Sequence, residues 1–237
     1  MKPVLILQHM ASDSPGYLST WLERQGIAYV VANAGIGESF PQDMSPYAAL
    51  AILGGAMSAN DELPFLRTGE LLIRQAMALG RPVIGHCLGG QLMSKAMGGR
   101  VSASPAPEVG WQPLEIRDHD GAHAWFPPRL VTPVMHWHYE SFSLPDGAQW
   151  LAQSPACPNQ AFSIGPHLAM QFHIEIDARK LAVWMQEESE TWTGAQRKFP
   201  QSVQGREEIL ARATSLMEGH HALADHIYAR WWQGVSG

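Results

Sequence analysis

The sequence predicts an α/β fold: a doubly wound, mostly parallel sheet with helices on both faces, appended β-hairpins and a C-terminal helical tail. Three observations predict it. Short continuous apolar runs alternate with segments of helical periodicity up to residue 99; short β-like runs broken by Pro and Gly replace that pattern from about 100 to 172; and the segment from 206 onward is amphipathic at helical spacing. Apolar strands alternating with helices imply a parallel sheet covered on both faces.

In chain order, "PVLILQ" (3–8) reads as a buried strand, and Tyr17, Leu18, Trp21 and Leu22 then recur at helical spacing after Pro15, a suitable first-turn residue. "IAYVVAN" (27–33) and "AALAILGG" (48–55) read as further buried strands. Leu72, Ile73, Ala76 and Met77 share one face of a second helix that stops at Gly80. "RPVIGH" (81–86) is again a strand, and Leu92, Met93, Ala96 and Met97 line the next helix, which Gly98-Gly99 ends. "VGWQPLEI" (109–116), "LVTPVMHWH" (130–138), "AQWLAQS" (148–154), "QAFSIG" (160–165) and "HLAMQFHI" (167–174) fit hairpins appended to the parallel sheet. A helix is expected from Ala178 to Thr191, and residues 206–232 read as one long or two short amphipathic helices.

Composition narrows the function classes. The 237 residues are 46% hydrophobic and 16% charged, the balance of an ordinary globular protein. Sixteen Lys and Arg stand against 22 Asp and Glu, a net charge of -6, and no basic run occurs, so neither nucleic acid nor an anionic membrane is an expected partner. The first apolar run is too short for a signal-peptide core, and no stretch nears the roughly 20 apolar residues that span a bilayer. A cytoplasmic location is expected. The two cysteines, Cys87 and Cys157, read as separate free thiols, Cys157 as incidental.

Cys87 falls where the strand "RPVIGH" gives way to a helix, and open α/β sheets bind ligands at the carboxyl ends of their strands. Gly85-His86-Cys87-Leu88-Gly89 is a G-x-C-x-G pattern, the thiol version of the strand-to-helix elbow whose flanking glycines remove clashing side chains. A helix N-terminus favours the thiolate and offers backbone N–H groups, notably that of Leu88, to a developing oxyanion. Burial as a small hydrophobe is the competing reading of the cysteine. A nucleophile also needs a base. "LAMQFHIEI" (168–176) places His173 at the end of a β-like run with Glu175 two residues on, and side chains i and i+2 of a strand share a face. His173 and Glu175 thus complete a Cys-His-Glu relay, against a half-buried strand histidine and a solvated strand end. His136 and His138 form an H-x-H pair that could ligate a metal with Glu140 or with Asp118, His119, Asp120 and His123; none of these has convincing third-ligand spacing, "DHDG" (118–121) reads more simply as a turn, and no metal or other cofactor is assigned.

These blocks together resemble the class I glutamine amidotransferases, most closely a stand-alone branch similar to the glutaminase domain of GMP synthase. "PVIGHCLGGQLM" resembles the family's nucleophile block, "MQFHIEI" its Q-F-H-P-E block, and "AILGGAMSAND" (51–61) its oxyanion loop. The resemblance implies a glutaminase-type domain over 1–192, with 193–237 a C-terminal helical extension packed on it. It further implies that Gly55 joins Leu88 in the oxyanion hole, and that Gln91 and the block at His138, Tyr139 and Glu140 bind substrate. Ile174 stands where the family usually has proline, "GGAMS" lacks the proline common after its second glycine, and Tyr139-Glu140 replace a frequent glycine and aspartate, which bears on substrate identity. The implied activity is hydrolysis of the γ-carboxamide of glutamine through a γ-glutamyl thioester, with ammonia released, without cofactor, and with a possible separate synthetase as partner. A stand-alone γ-glutamyl peptide or amide hydrolase and a non-catalytic regulatory module of the same fold are the alternatives.

Overall fold

The computed structural model describes residues 2–127, 133–187 and 189–235. Strands β1 (Val4–Gln8), β2 (Tyr29–Asn33), β3 (Ala49–Ile52) and β4 (Val83–His86) alternate with helices α1 (Tyr17–Arg24), α2 (Pro64–Ala78) and α3 (Leu88–Ala96). Strands β5 (Val101–Gln112), β6 (Glu115–Ile116), β7 (Val134–Phe142), β8 (Gln149–Gln153), β9 (Ala161–Ile164) and β10 (His167–Met170) follow, with a short helix α4 (Asp120–His123) between β6 and β7. Helices α5 (Ala178–Trp184), α6 (Glu190–Lys198) and α7 (Arg206–Gln233) complete the described chain.

The main sheet has the order β2-β1-β3-β4-β10-β9-β8-β6, parallel from β2 to β10 and antiparallel beyond it. Strand β5 pairs with β7 in a separate two-stranded antiparallel sheet. The doubly wound character is legible in β1 alone. Val4 and Ile6 belong to the core formed with Leu18 and Trp21 of α1 and Tyr228 and Trp231 of α7, whereas Leu5 and Leu7 belong to the core formed with Leu72 of α2 and Leu92 of α3. Successive side chains of a strand point to opposite faces, so a continuous apolar run serves two cores at once.

Five expectations need correction. Strand β2 lies at the sheet edge with Val30 44% exposed, because no strand among the described residues pairs beyond it. Pro15 precedes α1 instead of opening it: the N-cap is Gly16, at φ 52°, where a side chain would run into the carbonyl of Glu175. The helix expected over 178–191 is two helices. The chain turns after Trp184, and Ser189 starts α6 by accepting the N–H of Trp192. Residues 118–121, expected as a turn, lead into α4, capped by the His119 ring. Strand β10 stops at Met170, so His173 and Glu175 lie beyond it and share no strand face. Residues 130–132 of one expected strand and residue 188 of the expected helix lie outside the described residues.

The C-terminal segment is a single 28-residue helix, α7. Its Leu223, Ala224, Ile227, Tyr228 and Trp231 are buried against α1 and the sheet, and the Tyr228 hydroxyl donates to Nε2 of His86 at 3.2 Å, directly beneath the turn at Cys87. Trp231→Ala is therefore expected to lower the unfolding free energy by about 3–5 kcal/mol, read as a drop in the urea midpoint at unchanged slope. A change within the roughly 0.5 kcal/mol of surface substitutions would show that α7 is dispensable to the core.

Candidate active site

Strand β4 turns into α3 at Cys87, which has φ 49° and ψ -105° and is the one non-glycine residue with positive φ among the described residues. Such a conformation costs an L residue on the order of 1–3 kcal/mol and persists only where its surroundings enforce it. They do so here on both sides. The Cys87 N–H donates to the Met170 carbonyl at 2.9 Å, and its carbonyl accepts from Gln91 at 3.0 Å. Side chains on the neighbouring glycines are excluded: a Cβ on Gly85 would stand 2.6 Å from the Gly89 backbone, one on Gly90 2.5 Å from the Met170 carbonyl oxygen, and one on Gly89 would run into Ile52. The first turn of α3 thus lies directly on β3, β4 and β10.

Beyond β10 the chain is held by β7, where the His173 N–H donates to the Met135 carbonyl at 2.8 Å. His173 Nδ1–H donates to Glu175 Oε1 at 2.6 Å, and Cys87 lies close enough to the same ring to raise its basicity. The sequence-predicted trio is thus brought together, although by a turn and not by a strand. Glu175 is fully buried and has a second cation: Lys180 Nζ lies 3.5 Å from its Oε1 and 2.7 Å from Asp13 Oδ1, and donates to the Ser14 carbonyl. Burial disfavours charge on His173, but Glu175 and then Cys87 overcome it and hold the imidazolium up to about 10. Burial also works against charge on Glu175, yet His173, His86 and Lys180 hold its carboxyl well below the usual range.

The glycine-rich turn after β3 lies against this trio. A Cβ on Gly54 would stand 2.8 Å from His173 Cε1, and one on Gly55 2.8 Å from the Leu88 side chain. The Gly54 carbonyl accepts from His9 Nδ1 at 3.1 Å, a ring that burial pushes down to about 4 and so keeps neutral. Cys87, Gly55, Gln91, His138, Tyr139 and Glu140 all line one cavity of about 620 Å³, into which Trp137 and Trp184 also face.

The residues expected at the substrate's amino-acid end are partly engaged with one another. Gln91 Nε2 donates to the Glu140 carbonyl at 3.1 Å, and Glu140 Oε2 accepts from Ser58 at 2.7 Å. The His138 ring contacts the Glu140 carbonyl through Nδ1 and Glu108 Oε2 through Nε2, each at 3.1 Å. Tyr139 remains half-buried at the cavity wall. None of the third ligands weighed for the H-x-H pair joins it: Glu140 faces Ser58, His119 caps α4, and His123 pairs with Asp118 at 3.6 Å.

Sequence reasoning missed five residues of this site. Asp13 and Lys180 flank Glu175; Trp184 packs edge-on to His173 at 4.7 Å and donates to Asp13; Gln171 Nε2 donates to Cys87 Sγ at 3.5 Å; and His9 holds the glycine loop. The "QF" before His173 was a signal for Gln171. No local signal joins Asp13 to Lys180, which meet only in three dimensions.

The model of the family "Glutamine amidotransferase class-I" matches residues 28–185. A Salmonella typhimurium protein described as glutamine amidotransferase-like, YfeJ, is 31% identical over 205 residues, which cover 82% of this chain and 85% of that protein. A glutamine-hydrolysing GMP synthase subunit of Methanothermobacter thermautotrophicus is 34% identical over 127 residues, covering 53% of this chain and 64% of that one. The crystal structure of a glutamine amido transferase from Methylobacillus flagellatus superposes with a TM-score of 0.91 at 38% identity, over 99% of this chain and 95% of that one. The matched segment includes the cysteine elbow, the turn bearing His173 and Glu175, and the glycine loop between them in space, and the chain belongs to the class I glutamine amidotransferase family.

Proposed function

We propose that the chain is a thiol amidohydrolase that cleaves the γ-carboxamide of glutamine. The observation that carries this reading is the buried Cys87, His173 and Glu175 set at the floor of an open cavity. The Cys87 thiolate attacks the carboxamide carbon, and the N–H groups of Gly55 and Leu88 receive the developing oxyanion. The imidazolium of His173 gives its proton to the departing nitrogen, so that ammonia leaves and a γ-glutamyl thioester remains. Water, deprotonated by His173, then attacks the thioester; glutamate is released and the thiol is restored. Glu175 holds the ring's orientation and its charge, and Lys180 and Asp13 hold Glu175. One preorganised oxyanion donor contributes about 2.7–4 kcal/mol to the transition state, and general acid–base help about 10²–10⁴-fold. The relative named as a GMP synthase subunit supports delivery of the ammonia to a separate synthetase.

Cavity size favours a second substrate class. A volume of about 620 Å³ falls among pockets of roughly 300–1,000 Å³ that enclose drug-sized ligands, more than one amino acid fills. Trp137, Tyr139 and Trp184 in its walls suit a γ-glutamyl amide or peptide with a bulky leaving group.

Labelling with 6-diazo-5-oxo-norleucine tests the first reading. A single adduct on Cys87, blocked by excess glutamine and absent from Cys87→Ala, is expected; alkylation by simple thiol reagents without reaction with the mimetic would reject glutamine as substrate. Turnover should vanish in Cys87→Ala, fall by at least about 10²-fold in His173→Ala, and fall less in Glu175→Gln. Equal losses in Glu175→Gln and Cys87→Ala would give the carboxylate a direct chemical part.

The charge on His173 also sets a pH dependence. Its pKa is raised from about 6.5 in the unfolded chain to about 10 in the folded one. The stabilisation is therefore fully present below pH 6.5 and is lost as pH rises through 10. Unfolding free energy measured between pH 7 and 10 should decline in the native protein and decline less steeply in His173→Gln. Identical slopes would mean that the native ring is neutral.

A further inference from the structure

Against the wall of the cavity lies a second cluster on β5 and β7, of which His138 alone lines the cavity and Glu108 and His136 have no part in the amidohydrolase chemistry. In the β5·β7 pair Glu108 stands opposite His138, and Gly110 stands opposite His136. Directly opposed residues share a face, and so do residues two apart on one strand, so Glu108, His136 and His138 converge on one side of the hairpin. Their relative exposures are 1%, 0% and 3%. One ligand-type atom from each lies within 4.8 Å of the others, and His138 Nε2 is 3.1 Å from Glu108 Oε2.

His136 is the anomalous member. Neither of its ring nitrogens has a hydrogen-bond partner among the described residues, although the side chain is wholly buried. Buried polar groups are ordinarily paired, and an imidazole without a partner beside a carboxylate and a second imidazole offers the donor atoms of a metal ligand set. The oxygen of Gln160, whose amide nitrogen donates to Glu108 Oε2, likewise has no hydrogen-bond partner among the described residues.

We propose that Glu108, His136 and His138 form a buried site for one divalent transition-metal ion of the zinc type. Two imidazoles and one carboxylate are a zinc donor set, in which bond lengths of about 2.0–2.2 Å place tetrahedral ligand atoms about 3.4 Å apart. The Glu108–His138 pair, at 3.1 Å, opens by about 0.3 Å to reach that separation, and the His136 donor, within 4.8 Å of the others, closes on them by rotation of its ring. The ion takes the place of the hydrogen between His138 Nε2 and Glu108, and the fourth position is left to water or to Gln160. Imidazole and carboxylate donors suit Zn(II), Co(II) and Ni(II) and give no preference for the softer thiophilic ions. The ion takes no part in amide hydrolysis: it fastens β5 to β7, the strand whose Trp137 carbonyl lies 3.6 Å from Cys87 Sγ and whose Tyr139 and Glu140 line the cavity. This site stands on the hairpin geometry alone and does not depend on the glutaminase reading.

The test uses the full chain without a histidine tag, in a Cys87→Ala background that removes the active-site thiol as a competing ligand. After chelator treatment the protein is loaded with Co(II), desalted, and examined by metal analysis and by the visible ligand-field bands of tetrahedral cobalt. One ion per chain, with those bands and a raised melting temperature, is expected. His136→Leu, an apolar replacement for a side chain that makes no hydrogen bond among the described residues, should fold and lose the bands. Glu108→Gln, which keeps a polar group against His138, should bind more weakly by more than the roughly 10–100-fold that loss of an outer-shell partner costs. Failure of the parent chain to retain Co(II) or Zn(II), or equal retention in His136→Leu with circular dichroism showing native fold, would overturn the proposal.

Discussion

The close contact between the first turn of α3 and the sheet is the constraint on which the rest of the structure depends. Three glycines, Gly85, Gly89 and Gly90, let backbone meet backbone at β3, β4 and β10, and the chain can make that approach only by passing through a left-handed conformation at Cys87. That conformation is costly for a residue with a Cβ, and the hydrogen bonds with Met170 and Gln91 hold it in place. The same contact puts the helix N-terminus under the thiol and sets Leu88 against Gly55, so one packing requirement fixes the proposed nucleophile and the proposed oxyanion donors together.

Around this turn runs a chain of buried charge. Asp13, Lys180, Glu175 and His173 alternate in sign, from the loop before α1, through α5, to the turn after β10. Each ion is desolvated, and each is compensated by the next, an arrangement in which loss of one member leaves its neighbour buried and unpaired. The backbone joins in: the Glu175 carbonyl accepts the N–H of Tyr17 at 2.9 Å, against Gly16. The orientation of His173 is thus a property of three separate segments.

The hairpin β5·β7 has two faces with different chemistry. Toward the cavity it presents the Trp137 carbonyl, Tyr139 and His138, and His138 also reaches Glu108 and His136, which do not line the cavity. The Met135 carbonyl between them holds the backbone of His173. Whatever stiffens this hairpin therefore acts at once on His173 and on the cavity wall, and no sheet neighbour among the described residues shares that task, because β5 and β7 pair only with each other apart from an isolated bridge at Val203 and one at His173.

The sequence by itself determined the parallel half of the sheet, the helices that cover it and the elbow at Cys87, because these rest on local signals: apolar runs of strand length, helical periodicity, and glycines at a turn. It also determined that His173 and Glu175 stand close together, since they are two residues apart, but the reason inferred for it, a shared strand face, was wrong. Tertiary structure alone decided the remainder. Strand β2 became an edge, the helix from 178 broke where Ser189 offered a cap, and Lys180, which local sequence presents as one more helix residue, became the buried counter-ion of Asp13 and Glu175. Glu108 reached His138 through cross-strand register across a connection of many residues. Local sequence encodes conformation through steric and periodic rules that act within a few residues. The pairing of distant charges is encoded only in the order and register of strands, which no single segment carries.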